Sequence, residues 1–291
     1  MIAKAIESVR QEQGVGQVKR LCKAAGISRS TFYRLRGLEP AADAEETRLR
    51  GLIQEIALKW PAYGYRRITA ELRRRGHRAN HKRVLRLMRE DNLLCLRKKR
   101  FAVTTDSDHD LPIYPNLTAD LEVTGLNQLW VADLTYVRLE REFVYLAVVL
   151  DAFSRRCIGW ALGRTLEASL TVSALWKALE SRSVGPGLIH HSDRGVQYAS
   201  RDYTDLLEAH DIRISMSRRA CPYDNAQVES FIKTLKCEEV YLNEYESLRE
   251  ARTSIGRFLN QVYNEERLHS ALDYCPPAEF EQMLLQPITT P

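Results

Sequence analysis

At 291 residues with 44% apolar side chains, the chain exceeds one ordinary domain and has material for a real core, so two or three domains are expected. Its longest apolar run, Phe143 to Leu150, is eight residues against the ~20 needed to cross a bilayer, and the Met1 segment lacks the pattern of a secretory signal, which excludes a membrane or exported protein and predicts a soluble cytoplasmic one. The net charge of +5 conceals a split: residues 1–100 hold 25 Lys and Arg against 10 Asp and Glu, or +15, and the remainder carries −10, so a polyanion-gripping arm precedes an acidic module.

Residues 18–36 read as a helix-turn-helix. Val18, Leu21 and Cys22 precede a turn at Ala25-Gly26-Ile27, and Phe32 and Leu35 follow it. Gly26 suits the left-handed turn conformation, Ser28 can cap the second helix, and that helix carries Arg29, Arg34 and Arg36. Residues 37–47 are rich in Gly, Pro, Ala and acids and read as a linker. A second helical unit follows, from Leu49 to Trp60 and on through Ile68, Leu72, Val84, Leu87 and Met88. Its apolar spacing leaves broad faces for Arg66, Arg67, Arg73, Arg74, Lys82, Arg83 and Arg86, with few acids among them, which favours phosphate binding over a merely solvated face. His77 and His81 lack cysteine partners at finger spacing and read as solvated histidines, and six cysteines without a Cys-x-x-Cys pair fit reduced thiols. Arg97-Lys98-Lys99-Arg100 closes the arm, and Thr104 to Asp120 reads as an extended linker.

From residue 126 the pattern becomes strand-like. Gln128–Leu139 and Glu142–Leu150, joined tightly at Glu140-Arg141, and Arg156–Leu162 predict a three-strand meander. A helix at Glu167–Ser181, a strand at Gly187–Ser192, a helix at Tyr203–His210 and a strand at Ile212–Ser217 extend it. The expected fold is α/β: an RNase H-like mixed five-stranded sheet with flanking helices, preceded by an all-α helix-turn-helix DNA-binding arm. Helical stretches at Asn225–Tyr241 and Ser247–Tyr263 finish the chain ahead of Pro276-Pro277. The expected division is 1–40 helix-turn-helix, 44–103 a second basic helix-turn-helix-like domain, 104–120 linker, 121–245 catalytic core and 246–291 a C-terminal helical extension.

Three acids stand out within this frame. Asp133 lies in Trp130-Val131-Ala132-Asp133, Asp193 in His191-Ser192-Asp193-Arg194-Gly195, and Glu229 follows with 35 residues between it and Asp193. Asp133 shares a strand face with Val131 and Thr135, and Asp193 shares one with His191. Asp224 is placed to cap the next helix with Gln227 three positions on, which sets Glu229 near that helix's start. Three carboxylates from separate elements suit Mg²⁺ or Mn²⁺, which prefer oxygen ligands and keep positions open for water and phosphate. Asp151, before Ala152-Phe153-Ser154, reads as a turn residue.

These motifs, together with Tyr63-Gly64-Tyr65-Arg66-Arg67-Ile68, Ser154-Arg155-Arg156, Tyr223-Asp224-Asn225-Ala226, Glu229-Ser230-Phe231-Ile232-Lys233-Thr234-Leu235-Lys236 and Tyr263-Asn264-Glu265-Glu266-Arg267, span nearly the whole chain. It resembles the downstream-frame protein of bacterial transposases of insertion-sequence family three, within the DDE transposase and retroviral integrase superfamily. The resemblance implies that Asp133, Asp193 and Glu229 bind two Mg²⁺ or Mn²⁺ ions and catalyse DNA cleavage and strand transfer at the element's ends. It implies that Lys236, about two helical turns after Glu229, contacts the element's end. The basic helix faces offer Arg29, Arg34, Arg66, Arg67, Lys82 and Arg83 as further DNA contacts. Implied partners are the terminal inverted repeats, target DNA, and further copies in a synaptic complex at the bacterial nucleoid. Residues 1–40 hold no leucine heptad, so an upstream-frame partner or fusion is expected to supply a zipper. A non-catalytic DNA-binding regulator is the alternative.

Overall fold

The computed structural model describes residues 18–36, 40–94, 111–219 and 221–286, and these divide between two compact units separated after Cys95. The basic run Arg97–Arg100, residues 104–110 of the expected linker and the Arg34 side chain lie outside the described residues.

In the first unit, α1 (Val18–Ala24) and α2 (Arg29–Arg36) meet over buried Val18, Cys22 and Phe32. The turn between them follows the sequence expectation. Gly26 takes φ 67°, the Ile27 N–H donates back to the Cys22 carbonyl at 3.0 Å, and the Thr31 N–H donates to Ser28 Oγ at 3.0 Å. Three further helices follow, α3 (Pro40–Lys59), α4 (Tyr65–Arg74) and α5 (His81–Glu90). Their core is Ile53, Ile56, Ile68, Leu72, Val84, Leu87 and Met88, all fully buried.

The start of α3 corrects the sequence reading, because residues 40–47 are helical rather than linker. Proline is tolerated in a first helical turn, where its missing N–H would lack a partner anyway, and the alanines that follow favour helix. Glu45 and Glu46 are thereby brought to α5: Glu46 accepts from Arg86 at 2.7 Å, and Arg83 reaches Glu45 at 3.2 Å. Arg50 binds Glu46, Glu90 and Asp91, and Arg75 binds Glu71 and Glu55. Several arginines of the basic arm are thus already neutralised by acids distant in sequence.

The second unit is a five-stranded sheet whose spatial order, numbering strands along the chain, is third, second, first, fourth, fifth. Strands β1 (Leu129–Arg138), β2 (Phe143–Asp151) and β3 (Cys157–Gly163) form the antiparallel meander, while β4 (Ile189–Ser192) and β5 (Arg213–Met216) add in parallel. One face carries α6 (Ala168–Ser181) and α7 (Arg201–Ala209), over Trp130, Ala132, Ala147, Leu175 and Leu207. The other carries α8 (Ala226–Leu235) and α9 (Leu248–Arg257), over Val131, Val148, Val228, Phe231, Leu235 and Ile255. This alternation along β1 is the period-two pattern of a strand buried on both sides. Two π-helical turns, Lys236–Val240 and Phe258–Glu266, continue α8 and α9, and α10 (Pro277–Leu285) closes the described chain.

At Gly159 of β3 the sheet lies close against α6. A Cβ there would sit 2.2 Å from the Ala174 carbonyl oxygen and 2.8 Å from the Ala178 nitrogen, both backbone atoms of α6. Gly159→Ala is therefore expected to destabilise the chain by roughly 3 kcal/mol, read as a lower urea midpoint. Gly51→Ala, on α3 with nothing within 4 Å of the new Cβ, is the control, and removal of a helical glycine should instead raise stability by up to ~1 kcal/mol.

Candidate functional site

Strand pairing sets the site. β1 and β4 run parallel in the register Leu129↔Ile189, Trp130↔His190, Val131↔His191. Asp133 and Asp193 each follow the last of these pairs by two residues, so they stand at matching levels where the two strands cease to pair. Open α/β sheets bind ligands beyond the carboxyl ends of parallel strands, where the sheet's connectivity reverses. Here β1 leads to β2 on one side and lies beside β4 on the other.

A backbone N–H close in sequence holds each acid. The Leu134 N–H donates to Asp133 Oδ1 at 2.7 Å, and the Gly195 N–H donates to Asp193 Oδ1 at 2.9 Å. A Cβ on Gly195 would come 3.0 Å from that same oxygen, so the turn is tight around the carboxylate. Behind Asp193, His191 is buried between Ser215 Oγ at 2.8 Å and Ser217 Oγ at 3.0 Å. Burial pushes its pKa down to about 4, so it is a neutral structural ring. His190 is likewise neutral beside the Tyr203 hydroxyl at 2.9 Å, its pKa lowered by burial to about 3.

Glu229 comes from the first turn of α8, which packs on the Val131 face of the sheet, the face Asp133 shares. The helix start is tied to β1 by Asn225, whose Nδ2 donates to the Ala132 carbonyl at 3.2 Å, one residue before Asp133. Asp224 does not cap α8 as its spacing suggested. Its carboxylate accepts from the Arg218 backbone N–H at 2.8 Å and from the Arg218 guanidinium at 2.9 Å, and these bonds hold its pKa well below the usual range. A 3₁₀ turn at Pro222–Asn225 precedes the helix and turns Asp224 back toward Arg218.

The three acids share one electrostatic field. Burial, then repulsion by Asp193, then by Glu229, pushes the Asp133 pKa up to about 8, against the smaller pull of its bond from the Leu134 N–H and of Lys236. Lys236 is half-buried with Nζ 4.3 Å from the centre of the Tyr136 ring, and burial lowers its pKa while Asp133 raises it. The Tyr198 hydroxyl, in the turn after Asp193, is buried with no hydrogen-bond partner among the described residues, and burial, then Tyr203, then the two aspartates raise its pKa. Glu229 itself is exposed.

The donor set fits hard divalent cations: carboxylate oxygens, crowded enough to hold a proton that a cation would displace. Among the described residues no group of three His, Cys, Asp or Glu is gathered tightly enough to enclose a single ion. The coupling is instead pairwise, Asp133 with Asp193 and Asp133 with Glu229. Gly195 and Asn225 went unassigned in the sequence reading although both lie in its motifs. Their parts depend on a backbone N–H or on reach across the sheet, which leave no periodic signature.

Of the basic residues, Arg29, Arg66 and Lys82 are exposed, and Arg66 donates to the Tyr65 hydroxyl at 3.1 Å. Arg67 is half-buried, its guanidinium 5.6 Å from the Tyr63 ring centre, and Arg83 is held by Glu45 and Glu46. No helix among the described residues is long and apolar enough to cross a membrane.

Family models match most of the chain. Residues 44–101 match an HTH-like domain, and residues 124–222 and 210–277 match two models of the integrase core domain. The chain is 38% identical over 266 residues to the insertion element IS600 uncharacterized 31 kDa protein of Shigella sonnei, covering 90% of this chain and 97% of that protein. It is 33% identical over 278 residues to the transposase InsF for insertion sequence IS3A of Escherichia coli (strain K12), covering 94% and 96%. Among solved structures, the simian T-cell lymphotropic virus intasome in complex with PP2A regulatory subunit B56 gamma aligns with a TM-score of 0.46 at 17% identity, over 77% of this chain and 72% of that one.

The raised Asp133 pKa has a consequence for stability. Unfolded, the group titrates near 3.8, whereas folded it keeps its proton to about pH 8. The folded state therefore binds more protons between those values, and the cost of the folded carboxylate grows as pH rises, reaching its full size above the folded pKa. Asp133→Asn removes that cost. The variant, free of divalent cation, should melt above the wild type at pH ~9, with the difference vanishing by pH ~4, as followed by circular dichroism.

Proposed function

The chain belongs to the IS3 family of transposases, and we propose that it carries out divalent-cation-dependent DNA strand cleavage and strand transfer at the ends of its insertion sequence. Asp133, Asp193 and Glu229 are the catalytic residues of this reading and the ligands of two Mg²⁺ or Mn²⁺ ions. One observation supports it above the others: two aspartates each two residues past the last β1–β4 pair, with the helix that bears Glu229 on the face Asp133 shares, and Asp133 raised in pKa by burial and then by the neighbouring acids.

When bound, the cations activate the attacking hydroxyl and stabilise the leaving oxygen of a phosphodiester. The chain's own groups do the rest. Asp133, which feels both other acids, would be the ligand common to both carboxylate pairs. Gly195 and Leu134 fix one oxygen each of Asp193 and Asp133 through backbone N–H groups, so neither acid needs to reorient. Glu229, exposed on the first turn of α8, faces the approach of substrate, and Lys236 supplies positive charge beside Asp133 for a phosphate of the element's end.

DNA affinity in this reading comes mainly from the helical unit, through Arg29, Arg34, Arg66, Arg67, Lys82 and Arg83. The domain division is the one set out from the sequence: helix-turn-helix 1–40, helix-turn-helix-like 44–103, linker 104–120, core 121–245 and extension 246–291. The partners are the terminal inverted repeats, target DNA, further copies in the synaptic complex, and an upstream-frame protein or fusion that supplies the zipper. The setting is the bacterial nucleoid.

Asp133→Asn, Asp193→Asn and Glu229→Gln should each lower cleavage of a labelled element end in Mg²⁺ by on the order of a thousandfold while leaving DNA binding near wild type. A variant that cleaves at close to the wild-type rate removes its residue from the catalytic set. For the arm, Arg66→Gln combined with Lys82→Gln should flatten the plot of log affinity against log salt by ~1 to 2. Arg83→Gln should change that slope less, because Glu45 and Glu46 already neutralise its side chain.

A further inference from the structure

Arg155, in the turn between β2 and β3, holds the left-handed backbone conformation at φ 62°, where glycine or asparagine would sit at less cost. Asp151 fixes that turn. Its carboxylate accepts from the Phe153 N–H at 2.9 Å and the Ser154 N–H at 3.0 Å, and its carbonyl accepts from the Arg155 N–H at 2.9 Å. The turn presents Arg155 to a cavity of about 450 Å³, walled by Val123, Phe153, Leu272 and Phe280. The guanidinium is not consumed within the fold. Arg156 beside it binds Glu281 at 2.6 Å, but no carboxylate among the described residues pairs with Arg155. Glu122, which also lines the cavity, is exposed and makes no ion pair with it. The partner of Arg155 is neutral: with its amide turned to suit both groups, the Gln227 carbonyl oxygen accepts from both terminal nitrogens at 3.2 Å. Burial lowers the Arg155 pKa, and no acid offsets it. A half-buried cation without a counter-charge, on a strained backbone at a cavity, favours an anionic ligand. Gln227 lies on the first turn of α8, two residues before Glu229, so the cavity adjoins the helix that carries the third acid.

We propose that this cavity binds one nucleotide of a DNA strand, with its phosphate on the Arg155 guanidinium and its base against Phe153 and Phe280. A guanidinium offers parallel N–H donors that match phosphate oxygens. The two phenyl rings, centres 5.6 Å apart, give a base an apolar surface, and the volume lies within the range of small-molecule sites. The inference rests on the DNA-processing reading above for the source of the nucleotide. It adds to that reading a strand contact within the acidic unit, apart from the basic arm and from the three carboxylates.

Calorimetric titration of the full chain with dAMP and with 2-deoxyribose 5-phosphate, in wild type and Arg155→Asn, tests this. Asparagine tolerates the left-handed backbone and removes the charge, so the variant is expected to melt at or above the wild-type temperature while binding dAMP ~10-fold or more weakly. A structural role alone would not separate these two readouts. Wild type should bind dAMP ~10-fold more tightly than the sugar phosphate, which lacks the base. A saturating 5′-phosphorylated tetranucleotide should abolish the heat of dAMP binding, because a strand nucleotide then fills the cavity. Arg155→Gly makes the same comparison if the asparagine variant does not fold. Failure of wild type to bind dAMP, affinity within about twofold of wild type in the uncharged variant, or equal binding of the sugar phosphate overturns the inference. Undiminished dAMP binding under the tetranucleotide overturns it as well, since the cavity would then take a free nucleotide and no strand. Omitting divalent cation throughout separates this inference from the cleavage reading, which the carboxylate variants decide.

Discussion

Three residues of parallel pairing, Leu129–Val131 of β1 against Ile189–His191 of β4, are the constraint on which the rest of the site depends. They set two acids from segments sixty residues apart at one level, and every other feature answers the charge this creates. The strands are buried on both faces, with Trp130 and Ala132 in one apolar cluster and Val131 in the other, so a slip of one residue would exchange the two sets and is strongly disfavoured. His191 and His190 stay neutral within β4, held by Ser215, Ser217 and Tyr203. Neither adds a positive charge to offset the acids, and the compensation is left to Lys236 and to whatever cation the site takes up.

The sheet and its order of elements were legible because both report on burial, and burial is written in side-chain type. β-Branched and aliphatic runs placed β1 to β3 within a residue or two of their observed ends, and Gly26 and Ser28 marked a turn whose chemistry is local. What escaped was tertiary. Asp224 has an ordinary capping spacing, but Arg218 offers it a guanidinium and a backbone N–H together, and a charged bidentate partner outcompetes a single helix-end amide. The first turns of α3 resembled a linker because Pro40 and its alanines have no apolar period, although Glu45 and Glu46 find partners on α5 once the helices pack. The same pairing explains why counting arginines overstated the free positive charge of the arm.

The carboxylates were visible as residues, but their coupling was not. Spacing identified Asp133, Asp193 and Glu229 as acids ending or opening elements, whereas the proton that Asp133 retains follows from burial and from like charges that only the folded sheet brings near. That difference separates an acidic cluster from a site built to take a cation. Solvated acids on a surface would ionise independently, while crowded ones lower the competing affinity for protons as soon as a divalent ion enters.

The segment after α8 completes the core. Ala251, Ile255, Phe258, Leu259 and Tyr263 belong to the same buried cluster as Val131 and Val148. Asn264 bonds both the N–H and the carbonyl of Cys157, at 3.0 and 2.9 Å, and so supplies edge strand β3 with the pairing its open side lacks there. Glu281, buried on α10, gathers Ser154, Arg156 and Arg182; burial alone would raise its pKa, but those bonds hold it below the usual value. That charge is stabilising above the ordinary carboxylate pKa and is lost as pH falls through the folded one. Because the helix bearing Glu229 lies under the same cluster, the position of the third acid depends on this C-terminal packing as much as on β1, and shortening the segment would expose the face on which α8 rests.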